Sequence, residues 1–86
     1  KGRQKRLLSL VEEQRTIILY ESPKKITRLL NDLILVLGED RKASISRELS
    51  KIYQENIRGT LKELYDQFNN KINKGEFVIV IDGNKN

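Results

Sequence analysis

Apolar residues along the chain follow two kinds of pattern, one recurring every three or four positions and one running unbroken. Between residues 3 and 13, Leu7, Leu8, Leu10 and Val11 stand at near-helical spacing on a charged background, which predicts a short amphipathic helix with a basic start. Thr16-Ile17-Ile18-Leu19-Tyr20 is β-branched and aromatic, too short for a helix and apolar on both sides, as a buried central strand would be. Ser22-Pro23 then predicts a helix start: the serine hydroxyl can accept a backbone N–H, and proline suits the first helical position, where no donor is needed. Ile26, Leu29, Leu30, Leu33, Ile34 and Leu37 mark one face of that helix, and Gly38 is expected to end it in the left-handed conformation.

Residues 42–48 alternate Ala43, Ile45 and Arg47 against Ser44, Ser46 and Glu48, the period of a strand with two unlike faces. Residues 52–58 also read as extended, and the gap between the two runs is too short for a crossover, so a hairpin is expected. Thr60-Leu61-Lys62-Glu63 has the form of a capping box, and Leu61, Leu64, Tyr65 and Phe68 continue it as a helix face. After a polar, turn-rich stretch over 69–75, residues 77–81 form a second run apolar on both sides, a further central strand closing near Asp82-Gly83. The expectation is a single α/β domain over residues 1–86, a small mixed sheet flanked by about three helices.

The 86 residues, 37% of them apolar, suit one domain whose core removes only about 60–65% of the unfolded chain's surface from water. The chain has no methionine and opens inside the basic run Lys1-Gly2-Arg3-Gln4-Lys5-Arg6, so it is expected to be an excised segment. Cysteine and histidine are absent too, which excludes disulfides, thiolate nucleophiles, the usual zinc sites and Ser-His-Asp triads. No apolar stretch approaches the ~20 residues that span a bilayer, so a soluble domain without a membrane partner is expected.

Seventeen Lys and Arg against twelve Asp and Glu give a net charge of +5, which fits a phosphate-bearing partner such as RNA or simply a lysine-rich proteome. Lys1, Arg3, Lys5, Arg6, Lys24, Lys25 and Arg28 would form a phosphate-contacting surface if the first two helices exposed their polar faces together. Tyr20, Tyr53, Tyr65, Phe68 and Phe77 do not make a stacking platform for single-stranded RNA. Neither glycine-rich phosphate motif is present, so any cofactor site is expected to be shared with another part of a protein.

In open α/β sheets ligands bind beyond the carboxyl ends of the strands, which here points to Tyr20-Glu21-Ser22-Pro23, Arg47-Glu48-Leu49 and Arg58-Gly59-Thr60. At Glu21-Ser22-Pro23, a helix cap beside a solvated acid and a ligand contact both remain open. Arg47 and Glu48 lie on opposite faces of one strand and cannot pair with each other; each is open to a surface ion pair or a cleft. Gly59 would permit an unusual backbone angle before a capped helix, whose N-terminus would either be capped or receive an anion.

The ordered series RTIILYESP, RELSK, ENIRGT and KGEFVIVIDG resembles the C-terminal domain of the ribosomal RNA small subunit methyltransferase I family, within the tetrapyrrole methylase superfamily. The resemblance covers nearly the whole chain. It implies a cytoplasmic, homodimeric enzyme that transfers a methyl group from S-adenosylmethionine to a cytidine ribose 2′-hydroxyl of 16S rRNA in the small ribosomal subunit. The cofactor would lie in a cleft shared with an N-terminal domain, leaving the isolated segment inactive. The family's E-S-P falls on Glu21, Ser22 and Pro23, its R-E-L on Arg47, Glu48 and Leu49, and its R-G-T on Arg58, Gly59 and Thr60. The family usually follows E-S-P with histidine and arginine, where this chain has Lys24 and Lys25, and R-E-L with threonine, where it has Ser50. The resemblance makes Glu21, Arg47 and Glu48 catalytic candidates, Tyr20, Glu21, Ser22 and Pro23 cofactor contacts, and Lys24, Lys25, Arg28 and Arg58 RNA contacts; no metal is implied. Two rival readings are a tetrapyrrole methylase acting on a corrinoid or porphyrinoid acid, and a noncatalytic basic module for RNA binding or dimerisation.

Overall fold

The computed structural model describes residues 2–50, 52–69 and 74–84, with side chains at all of these but 2–4, 49, 50 and 53. Seven elements follow one another: α1 (Gly2–Leu8), β1 (Ile17–Glu21), α2 (Ile26–Leu37), β2 (Lys42–Ser50), β3 (Tyr53–Thr60), α3 (Leu61–Phe68) and β4 (Glu76–Ile81). The α/β class and the flanking helices are those expected. The strands lie in the order β1-β4-β2-β3, and the expected mixed sheet resolves to three antiparallel pairings. The reason is topological: the last strand, β4, inserts between β1 and β2 and runs against both.

Two helix boundaries differ from the sequence expectation. Helix α1 stops at Leu8 because the Ser9 hydroxyl donates to the Arg6 carbonyl at 2.6 Å, the acceptor that a continuing helix would offer to Leu10. The Leu10 N–H bonds to Leu7 instead, and the chain unwinds through turns. Helix α2 starts at Ile26 rather than at Ser22-Pro23. The Ser22 carbonyl accepts the Lys25 N–H at 3.1 Å, so Ser22-Pro23-Lys24-Lys25 forms a turn with proline at its favoured second position. Gly38 ends α2 at positive φ as expected, but with φ 96° and ψ 155° it is extended rather than left-handed helical.

All three helices contribute to a core on one face of the sheet. Ile26, Leu29, Leu30 and Leu33 of α2 and Leu61, Leu64 and Phe68 of α3 are buried with Ile45, Phe77, Ile79 and Ile81 of the strands. Phe68 meets Phe77 edge to face, centroids 5.4 Å apart and planes at 87°. The opposite face is uncovered by any described element, as an antiparallel sheet allows. Its β1–β4 half is apolar, with Ile18 57% and Tyr20 78% exposed beside the half-buried Val78 and Val80. Its β2–β3 half carries Ser44, Ser46, Asn56 and Arg58, and the Ser46 hydroxyl donates to Asn56 Oδ1 at 2.6 Å.

Candidate functional site

Strands β1 and β2 end at the same edge of the sheet, with the start of β4 between them: Glu21 is opposite Phe77, and Glu48 is opposite Glu76. This places Tyr20, Ser22 and Pro23 across a groove of about 650 Å3 from Ser46, Glu48 and Gln54, with Glu76 and Val78 between. The E-S-P segment and the glutamate of R-E-L are thus brought together. The described lining contains Glu21, Glu48 and Glu76 but no lysine or arginine. Apolar groups and hydroxyls complete it, so the groove favours a cation or sugar hydroxyls over a phosphate. Glu21 has a local role as well, since its carboxylate accepts the Ser22 N–H at 2.8 Å.

Arg47 faces away from this groove. Strand alternation turns it under the helices, where it pairs with Glu55 and lies 5.8 Å and 6.0 Å from the ring centres of Phe68 and Phe77. Its Nε is buried without a hydrogen-bond partner among the described residues. Of two adjacent motif residues, Glu48 lines the groove and Arg47 braces the core beneath it. The side chains of Leu49 and Ser50 lie outside the described residues.

The R-G-T segment lies at the opposite end of the sheet, because β3 returns antiparallel to β2 and its carboxyl end points the other way. Arg58 is exposed on the open face opposite Ser44, four residues along β2 from Glu48. Thr60 and Glu63 form the expected capping box: the Glu63 N–H donates to the threonine hydroxyl at 3.1 Å, and the Thr60 N–H donates to the glutamate carboxylate at 2.8 Å. The Thr60 backbone N–H and then its hydroxyl hold the Glu63 carboxyl below its ordinary value. The Leu61 and Lys62 N–H groups are taken by the carbonyls of Arg41 and Glu39, so this helix end is capped rather than open to an anion. Gly59 is not among the glycines at positive φ. A Cβ there would stand 2.9 Å from Glu63 Oε1, the far end of a flexible side chain, which would have to shift and loosen its bond to the Thr60 N–H.

Lys24 and Lys25 are exposed in the turn after Pro23 and Arg28 in the first turn of α2; none of them lines the groove. Lys5 and Arg6 are also exposed, and Arg6 shares a hollow with Leu29 of α2, so the first two helices do lie together. Lys1 and the side chain of Arg3 lie outside the described residues. Ser46, Gln54 and Glu76 were missed as groove residues because only the placing of β4 between distant strands brings them there. Gly83 was read only as a turn residue. Its Cα approaches the loop before β1 so closely that a Cβ would lie 2.2 Å from the Gln14 carbonyl oxygen, and next to it the Asn84 N–H donates to Glu13 O at 2.6 Å.

No family model matches the chain. Curated relatives do: it is 44% identical over 94% of its length to a protein of Synechocystis sp., 40% over all of it to one of Bacillus subtilis, and 37% over 96% to one of Thermotoga maritima. Each of the three is named ribosomal RNA small subunit methyltransferase I. The chain spans 29%, 29% and 37% of their respective lengths. With the family's motifs in order, and two of them meeting at one groove, the chain belongs to the ribosomal RNA small subunit methyltransferase I family.

Proposed function

We propose that these residues are the C-terminal half of a methyltransferase that uses S-adenosylmethionine to methylate a cytidine ribose 2′-hydroxyl of 16S rRNA. The observation carrying this reading is the convergence of Tyr20, Glu21, Ser22 and Pro23 with Glu48 on one groove of the uncovered sheet face. The lining suits one wall of a cleft for such a cofactor: carboxylates for a cationic sulfonium and ammonium, hydroxyls for a ribose, and apolar Tyr20, Pro23 and Val78 for a base. When bound, the cofactor supplies a methyl group on a sulfur that leaves readily.

The work left to protein residues is positioning, exclusion of water and removal of one hydroxyl proton. Glu48 accepts a hydrogen bond from the nucleophilic or cofactor hydroxyl; Tyr20, Pro23 and Val78 exclude water. Lys24 and Lys25, which follow Pro23 in the chain, and Arg28 in the first turn of α2 offer exposed charge to a polyanion outside the groove's carboxylates, and Arg58 offers a further phosphate contact. Arg47 packs against Phe77 and Phe68 on the helix side and serves the fold rather than the ligand. The opposite wall comes from an N-terminal domain, the protein acts as a cytoplasmic homodimer on the small ribosomal subunit, and the segment alone is inactive.

The full-length enzyme tests this reading. Glu48→Gln and Glu21→Ala are expected to lower methylation of small ribosomal subunits or cofactor affinity by at least about tenfold, within the range of removing a positioned acid or base. Both variants retaining wild-type activity and affinity would sink it, and turnover of a corrinoid or porphyrinoid acid in place of rRNA would move the enzyme to the sister branch of the superfamily.

A further inference from the structure

The open face of the sheet changes character across its strands in the same way at two successive levels. The strand registers align Ile18, Val80 and Ser44 in one row, which Arg58 of β3 completes. Two residues along each strand, Tyr20, Val78, Ser46 and Asn56 form the next row. Each row is apolar over β1 and β4 and polar over β2 and β3. Beyond them, at the end of the sheet, Glu76, Glu48 and Gln54 belong to the groove already described. Levels two residues apart along a strand are separated by roughly 6.6–6.8 Å, so the rows lead away from the groove in steps close to those of nucleotides in an extended single strand.

The chemistry of the rows suits a nucleotide laid across them. In the nearer row the Ser46 hydroxyl donates to Asn56 Oδ1 at 2.6 Å, which leaves the Asn56 amide hydrogens to donate outward and the serine oxygen to accept. A ribose hydroxyl, which both donates and accepts, finds both partners there. In the farther row Arg58 and Lys42 share a hollow of about 400 Å3 with Ser44 and Val80, and Asp82 is the one carboxylate among its described lining residues. Neither cation takes part in an ion pair among the described residues. This hollow therefore presents positive charge to an anion, whereas the groove presents three carboxylates. Tyr20, Ile18, Val78 and Val80 offer bases an apolar bed beside it. With a single aromatic ring, that bed excludes water from the bases rather than stacking them in a ladder.

We infer that the open face carries the rRNA strand on one side of the target nucleotide, its sugar-phosphate backbone over β2 and β3 and its bases over β1 and β4. Arg58 and Lys42 hold the phosphate about two nucleotides from the groove, a distance fixed by the strand rise. Ser44, Ser46 and Asn56 hydrogen-bond the riboses between. The strand is single, because a duplex turns its bases inward and away from the apolar half. This inference rests on the reaction proposed above, which makes RNA the ligand, and adds the course the RNA takes and the residues that follow it.

Two measurements on the full-length protein with unmethylated small ribosomal subunits test it. Arg58→Gln is expected to weaken binding several-fold and to make the log–log dependence of affinity on salt shallower by about 0.7, the loss of one phosphate contact to a single strand. A photo-crosslinking side chain placed at Ser44 is expected to attach to 16S rRNA within about three nucleotides of the methylated residue, on one side of it only. An unchanged salt slope overturns the inference. So does the lack of a crosslink in that range, whether the side chain attaches to distant rRNA, to another part of the same protein, to a second copy or to nothing. Wild-type protein that neither binds nor methylates the subunits would remove the proposed reaction itself; normal wild-type methylation with either adverse result removes only the strand path.

Discussion

At Gly83 a single methyl group decides between fit and collision. The atoms in the way are the carbonyl oxygens of Gln14 and Arg15, which belong to the backbone and cannot swing aside as a flexible side chain would. Gly83→Ala should lower the unfolding free energy by about 1–3 kcal/mol, the usual cost of forcing atoms into a packed place, and denaturant titration reads it directly. Arg47 poses the converse question, whether a motif arginine acts on ligand or on structure. It is held by Glu55 and two aromatic rings on the helix side. Arg47→Ala should therefore destabilise by about 1.5–3 kcal/mol, as loss of a charged hydrogen bond does, with the full-length protein's cofactor affinity unchanged at temperatures where it stays folded. A variant of normal stability and weakened cofactor binding would contradict that assignment.

Among the elements, α3 carries a built-in sensitivity to acid. The Thr60 backbone and hydroxyl hold the Glu63 carboxyl below its ordinary value of 4.5 when folded. A depressed carboxyl stabilises the fold above the unfolded value, and that contribution disappears as pH falls through the folded one. Glu63→Gln, which keeps the acceptor but not the charge, should flatten the fall in thermal midpoint below about pH 4.5; an unchanged acid limb would refute the account. The same helix shows what a sequence can reveal. Its cap, its face and its end at Phe68 were legible because a capping box and a period of 3.6 are local. The start of α2 was misplaced because Ser22-Pro23 serves a turn as well as a helix, and Ser22 bonds through its carbonyl here. Likewise, β1 and β4 have the same two-sided apolar pattern, yet among the described residues only β4 is interior. The pattern records which surroundings a strand suits, while its neighbours are set by the topology.

For the whole molecule, that topology decided which motifs meet. E-S-P and R-E-L share an end of the sheet because β1 and β2 both run against β4, while R-G-T is carried to the far end by the hairpin, roughly 13 Å along the strand from Glu48 to the level of Arg58. Removing residues 76–86 should leave a chain without cooperative unfolding, because β1 and the β2–β3 hairpin pair only through β4; a sharp calorimetric transition in that truncated chain would disprove this. The consequence reaches back to synthesis. Among the described strands β4 is the last to leave the ribosome, so β1, the hairpin and the three helices must wait, with the apolar sides of Ile17, Leu19 and Ile45 unclosed, until residues 76–81 emerge. Any delay in translating that stretch lengthens the time during which a nascent chain is exposed to chaperones and to its neighbours on the polysome.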